Sequence, residues 1–219
     1  AECILKLLSK NGIAIIEVQY LMRTLKDLTF DNIYHEHYNY WSLTSIKFFF
    51  DNIGGKIFKV EEINTHGGSL RIYISKNLNK KEDQSVKKLL RIEEKFGIKR
   101  LSTYLNFGKK VLKIKENVIK NIKKLKKDSG SIIGYGAPAK ATTALNFFGI
   151  SNEIDFIVED NELKHNKFIP GVNIPIYSTN KLNNNKSTIL VLAWNFFKYI
   201  QKKNQKLKNK FVNIKTLEK

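Results

Sequence analysis

The stretch SIIGYGAPAKATTALNFF, residues 131–148, reads as a short apolar strand (Ser131–Tyr135), a glycine-rich turn and a helix running to Phe148. Working outward, the chain then repeats the alternation. A strand is expected at Ile154–Val158, a long loop shaped by Pro170, Gly171 and Pro175, a strand at Thr188–Leu192, a helix at Asn195–Lys203 and a last strand at Phe211–Ile214. Strands that alternate with helices predict a small parallel sheet, with any ligand outside the carboxyl ends of its strands. In the turn Gly134-Tyr135-Gly136-Ala137-Pro138, the backbone N–H groups and the following helix N-terminus could receive a phosphate, with Lys140 as counter-charge. The turn matches neither the dinucleotide fingerprint nor the Walker motif. Glu159 and Asp160 stand where a ribose-binding acid would, a weak pattern by itself.

Upstream of this unit, residues 81–128 are helical and rich in Lys. Tyr104, Phe107, Val111, Ile114, Val118, Ile122 and Leu125 step by three or four and form one apolar stripe, which leaves most lysines on a solvated face. Earlier still, Lys56–Ile63 and Ser69–Ser75 read as a hairpin joined by Asn64-Thr65-His66-Gly67-Gly68, and Ser42–Phe50 as a capped helix closed by Gly54-Gly55. Gly12-Ile13-Ala14-Ile15-Ile16-Glu17-Val18 is a continuous apolar run, the pattern of a parallel strand buried on both faces. Such a strand needs parallel neighbours. The chain opens with Ala1, and its first eight residues read as the end of a helix, so it looks truncated at the N-terminus. The expected fold class is α/β with three parts: residues 1–80, the back half of a Rossmann-like sheet; 81–129, a helical connector; and 130–219, a second small Rossmann-like α/β domain.

The 219 residues are 42% hydrophobic and 27% charged, enough for a real core. A single Cys, Cys3, excludes intramolecular disulfides and any multi-thiolate zinc site and favours a reducing compartment. No apolar run approaches the roughly 18 residues of a spanning helix, and the start lacks a signal-peptide layout; a soluble, cytoplasmic protein is expected, with no membrane partner. The formal charge of +19 suggests a polyanion until it is localised. Residues 1–75 hold 8 basic and 8 acidic side chains, and 131–193 hold 5 and 5. The surplus lies in 76–130, with 18 and 6, and in 194–219, with 8 and 1. Of the basic residues 35 are Lys and 4 are Arg, whereas nucleic-acid readers lean on Arg forks, so no specific nucleic-acid partner is expected.

Chemistry concentrates in Tyr34-His35-Glu36-His37-Tyr38. Imidazole is the natural general base near neutral pH, a phenol can hydrogen-bond an oxyanion, and a carboxylate can hold a sugar hydroxyl. That set suits proton abstraction beside a carbonyl. A metal held by His35, His37, Glu36 and His66 is the alternative, although the spacing is not the helical HExxH pattern. The His66-Gly67-Gly68-Ser69 loop, followed by Arg71, is a second candidate that a plain hairpin turn would also explain. Ala193-Trp194-Asn195 ends a later strand with a polar side chain.

Five segments in order, FDNIYHEHYNYWSLTSI, THGGSLR, GYGAPAKATT, FIPGVNIPI and AWN, together resemble the S-adenosylmethionine-dependent nucleotide-sugar C-methyltransferases. The resemblance implies a class I methyltransferase sheet, of which this chain holds the back half, and the family's C-terminal α/β domain. The family's zinc-binding segment and adenosylmethionine loop have no counterpart here, so zinc belongs to a missing N-terminal region, no metal is expected in this chain, and most cofactor-binding residues lie outside it. It implies methyl transfer to a carbon next to the 4-keto group of a nucleoside-diphosphate deoxysugar, in deoxysugar biosynthesis. By motif, His37 would be the base, Tyr34 would aid proton transfer or hold the enolate oxygen, and Glu36 would orient the sugar. His66, Gly67, Gly68, Arg71, Tyr135, Gly136, Lys140 and Asn195 would line the sugar-nucleotide side. The chain alone is expected to be inactive as a fragment. A non-catalytic nucleotide or nucleotide-sugar binding module is the competing reading, and the oligomeric state is open, a monomer being plausible.

Overall fold

A computed structural model describes residues 1–64, 67–183 and 186–219. The chain divides into two compact units: Ala1–Phe30 with Glu36–Lys109, and Asp31–His35 with Lys110–Lys219. No helix among the described residues is long and apolar enough to cross a membrane.

The first unit begins with α1 (Glu2–Leu7), β1 (Ala14–Gln19) and α2 (Leu21–Asp27), followed by α3 (Leu43–Asn52), β2 (Lys56–Ile63), β3 (Ser69–Ser75) and α4 (Gln84–Phe96). Ser42 caps α3 in a reciprocal capping box with Ser45, as its sequence suggested. Asp83 caps α4, and Gly97, at φ +84°, closes it. The hairpin strands fall where the sequence placed them, although Thr65 and His66 of its loop lie outside the described residues.

β1 departs from expectation. It is not a parallel strand buried on both faces but pairs antiparallel with β3, in a three-stranded sheet of order β1-β3-β2. Its side chains alternate: Ile13 and Ile15 are 46% and 60% exposed, whereas Ala14, Ile16 and Val18 pack against the unit's core. Apolar residues on both faces conceal a period of two, so the pattern of a doubly covered strand can arise from a half-covered one. Tyr20, Leu43, Ile57, Leu70, Ile72, Ile74 and Val86 form the core beneath this sheet.

The unit boundary falls within α5 (Leu101–Ser129). Val111, Ile114, Val118 and Ile122 are its buried stripe, while Lys109, Lys110, Lys113, Lys120, Lys123, Lys124 and Lys127 are exposed.

In the second unit β4 (Ile132–Tyr135), α6 (Ala139–Phe148), β5 (Phe156–Glu159), β6 (Lys167–Phe168), β7 (Pro175–Ser178), β8 (Thr188–Val191), α7 (Phe197–Lys203) and β9 (Lys210–Asn213) build a six-stranded sheet. Its order is β6-β7-β5-β4-β8-β9, parallel except for β6. The expected alternating unit is present, and the segment read as a long loop supplies β6 and β7 as well. Pro175 opens β7, a position where the missing N–H costs nothing, which disguised the strand as a turn. Two glycines let the layers close: a Cβ on Gly134 would lie 2.6 Å from Ile157 Cγ1, and one on Gly136, at φ +90°, 2.7 Å from Ala193 Cβ.

Replacing Ile122, fully buried on α5, by Ala should cost about 2–5 kcal/mol in urea unfolding, whereas Lys120→Ala on the solvated face should stay within about 0.5 kcal/mol. Equal effects would refute the division of α5 into an apolar stripe and a solvated face.

Candidate active site

In the first unit a cavity of about 430 Å³ opens where β1 ends. Glu17, Val18 and Gln19 form one wall, Ser69 at the start of β3 another, and Glu36, His37, Tyr38, Asn39 and Trp41 the third. The third wall is tied to the first through backbone: Tyr20 bridges Trp41, and Leu21 N–H donates to the Trp41 carbonyl at 2.9 Å. Tyr20 N–H reaches the carbonyl of Gly68 at 3.2 Å. Gly68 has φ +112° and leaves no room for a side chain, since a Cβ there would lie 2.8 Å from Arg23. This is a close approach that only glycine permits, more than the hairpin turn alone requires.

His37 is half-buried in the wall, with its ring edge-on to Tyr40 at 6.3 Å, and Glu36 is exposed beside it. Arg71 donates to Glu17 at 3.0 Å and stands 3.8 Å from Glu61, which itself accepts from Tyr73 at 2.8 Å. Its guanidinium therefore bridges the three strands, and Glu17 links that bridge to the cavity. His66 lies outside the described residues. Among the described residues no group of three or more His, Cys, Asp or Glu side chains is placed to hold a metal ion.

Beneath this wall lies a residue that sequence reasoning missed. Glu93 of α4 is fully buried and accepts four hydrogen bonds: Tyr20 Oη at 2.8 Å, Leu43 N–H at 2.6 Å, Thr44 N–H at 2.8 Å and Thr44 Oγ1 at 2.6 Å. The carboxylate sits at the N-terminus of α3, where free N–H groups and the helix dipole both favour an anion. Within a Lys-rich helical stretch, one Glu among apolar neighbours at helical spacing was the available signal.

In the second unit Tyr34 is half-buried, its ring 6.1 Å from that of His35. Tyr135 is almost wholly buried and donates to the Asp160 carboxylate at 3.2 Å; burial raises its phenol pKa. Gly136 carries the tight turn into α6. The Ala137 N–H of that turn is taken by Glu159, at 2.7 Å, and the same carboxylate accepts from Asp160 N–H and Asn161 N–H at 2.8 and 3.1 Å. Lys140, in the first turn of α6, has a buried Nζ with no hydrogen bond, 5.3 Å from the Trp194 ring. Burial lowers its pKa, and Asp31 pushes it back up. Asn195 is exposed in the turn after β8.

A family model described as the C-methyltransferase C-terminal domain matches residues 64–214. The chain belongs to the C-methyltransferase family. It is similar to the C-methyltransferase NovU of Streptomyces niveus, 31% identical over 193 residues, which cover 87% of this chain and 46% of NovU. The chain thus spans about half the length of that relative. The His37 loop and β1 precede the residues matched by the C-methyltransferase domain model and fall in the first unit or at its boundary, whereas most of the matched segment lies in the second.

Burial and the adjacent Glu93 raise the Tyr20 phenol far above its ordinary value of 10.0. A raised folded-state pKa means that this stability is fully present below 10.0 and is lost as pH rises beyond it, because only the unfolded state releases the proton. Phenolate absorbance should show one of the nine tyrosines ionising only as the chain unfolds, and Tyr20→Phe should remove that late step and cost about 1.5–3 kcal/mol.

Proposed function

We propose that this chain serves C-methyl transfer from S-adenosylmethionine to a carbon next to the 4-keto group of a nucleoside-diphosphate deoxysugar. The observation that supports the reading is a cavity, in a C-methyltransferase family member, whose lining includes His37 together with Glu17 and Glu36. His37 takes the proton from the carbon beside the ketone, and the electron pair moves to the ketone oxygen as an enolate. Tyr34 donates a hydrogen bond to that oxygen or relays the proton, and Glu36 accepts from a sugar hydroxyl. Gly67 and Gly68 shape the hairpin side of the sugar site, with Arg71 held against Glu17. His66 in the same loop, and Tyr135, Gly136, Lys140 and Asn195 in the second unit, serve the sugar nucleotide.

S-adenosylmethionine supplies an electrophilic methyl group when bound. The described residues do not fit it: in the first unit β1 runs through Tyr20 directly into α2, with no glycine-rich strand-to-helix turn to receive an adenosyl group. No step is therefore routed through it here. Isothermal titration of the 219-residue chain with S-adenosylmethionine should show no micromolar binding.

Proton abstraction can be read without a methyl donor. In D2O, the chain should exchange the hydrogen beside the ketone of a nucleoside-diphosphate 4-keto deoxysugar. His37→Asn should slow this exchange by roughly 10²–10⁴ with little change in sugar-nucleotide affinity, and Tyr34→Phe should slow it less. Exchange that survives in His37→Asn would assign the base elsewhere, and a chain that binds the sugar nucleotide but never exchanges it would be a binding module.

A further inference from the structure

The second unit's sheet has the order β6-β7-β5-β4-β8-β9, so the chain leaves β4 for β5 on one side and returns to β8 on the other. In open parallel sheets the crevice outside the carboxyl ends at such a reversal is where a ligand lies. Here three residues that follow adjacent strands converge on one point. Lys140 follows β4, Trp194 follows β8 and Lys215 follows β9, and the two ammonium groups stand 5.3 and 5.1 Å from the Trp194 ring.

What meets them belongs to the chain itself. Asp31, 2% exposed, accepts the Trp194 Nε1–H at 2.8 Å through Oδ2, while Oδ1 stands 3.8 Å from Lys215 Nζ. Lys140 feels the same carboxylate. Asn32, next in sequence, is fully buried. On the β5 side, the Ala137 N–H that a phosphate would seek is already held by Glu159. Both places where a Rossmann-like unit reads an anion are filled by its own carboxylates.

We propose that Asp31 is an internal ligand of this crevice and acts as a positioning residue, fixing the segment 31–35 and with it Tyr34. The assignment of Tyr34 to proton transfer rests on the function proposed above; the seat of Asp31 does not. A buried carboxylate that accepts an indole N–H at 2.8 Å and stands 3.8 Å from the Lys215 ammonium, which Glu218 also engages at 2.8 Å, is costly to move into water or to leave unpaired, so the segment is held from one end while Tyr34 lies only three residues on. Asp31→Asn preserves shape and an acceptor for the indole but removes the negative charge at that acceptor, while Glu218 stays on Lys215.

The test uses the full chain, whose two tryptophans, Trp41 and Trp194, give two indole N–H signals. Asp31→Asn should shift the Trp194 signal and speed its exchange with water by about tenfold or more, consistent with losing a charge-assisted bond worth at least about 1.4 kcal/mol. The Trp41 signal should stay in place and so report an intact first unit. Trp194→Phe should displace the Tyr34 ring signals as Asp31→Asn does. In the D2O exchange assay, Asp31→Asn should lower the maximal rate more than it raises the half-saturating sugar-nucleotide concentration, and adding it to Tyr34→Phe should slow exchange no further. An unmoved Trp194 signal, unmoved Tyr34 rings in both variants, or effects that multiply in the double variant would overturn the proposal. If Tyr34→Phe alone leaves exchange at the native rate, the role of Tyr34 falls, while the indole and ring signals still decide whether Asp31 holds the segment.

Discussion

A carboxylate taken out of water is tolerated only when its lone pairs are met, and Glu93 meets that demand with four donors drawn from two segments. The first turn of α3, the end of β1 through Tyr20, and α4 itself all converge on one side chain. Because Tyr20 also bridges Trp41, the same knot fixes both ends of the segment from which the His37 wall projects. The geometry of the candidate base is therefore set from below, by a buried charge, and not by the loop's own conformation. Were the carboxylate neutralised, two N–H groups, a hydroxyl and a phenol would compete for fewer acceptors, and the footing of the cavity wall would weaken.

Much of this architecture can be read along the chain because local rules and tertiary demand agree. The hairpin limits, the Ser42 cap and the α5 stripe each follow from a residue type that its position requires. The failures are equally physical. β1 carries Ile15 on its outer face, with exposed Ile13 just before it, so its period is hidden; β7 begins with a proline and spans four residues, too few for a pattern. The candidate site residues divide in the same way. His37 and Tyr34 announce themselves by chemistry in a dense loop, whereas Glu93 and Asp31 act through partners 49 to 163 positions away, a relation that no local window contains.

The charge separates from the chemistry as well. Seven of the nine lysines of α5 are exposed, away from its buried stripe, while the cavity lining includes Glu17 and Glu36. A positive surround raises the local concentration of a small anion, an effect that salt weakens. The total alone therefore does not argue for a polyanion, because its surplus lies away from the residues that line the cavity.

The outer edge of β1 has a colloidal consequence. Among the described residues it is hydrogen-bonded on one side only, and two of its flanking isoleucines meet water, the combination that templates strand addition between copies. At +19, copies repel one another in dilute electrolyte. Once ionic strength shrinks the screening length to about 8–10 Å, that repulsion no longer reaches across the gap and the edge is free to find a mate. Association of this chain is then a balance between the repulsion of its lysines and the pull of the β1 edge, and salt moves it toward association.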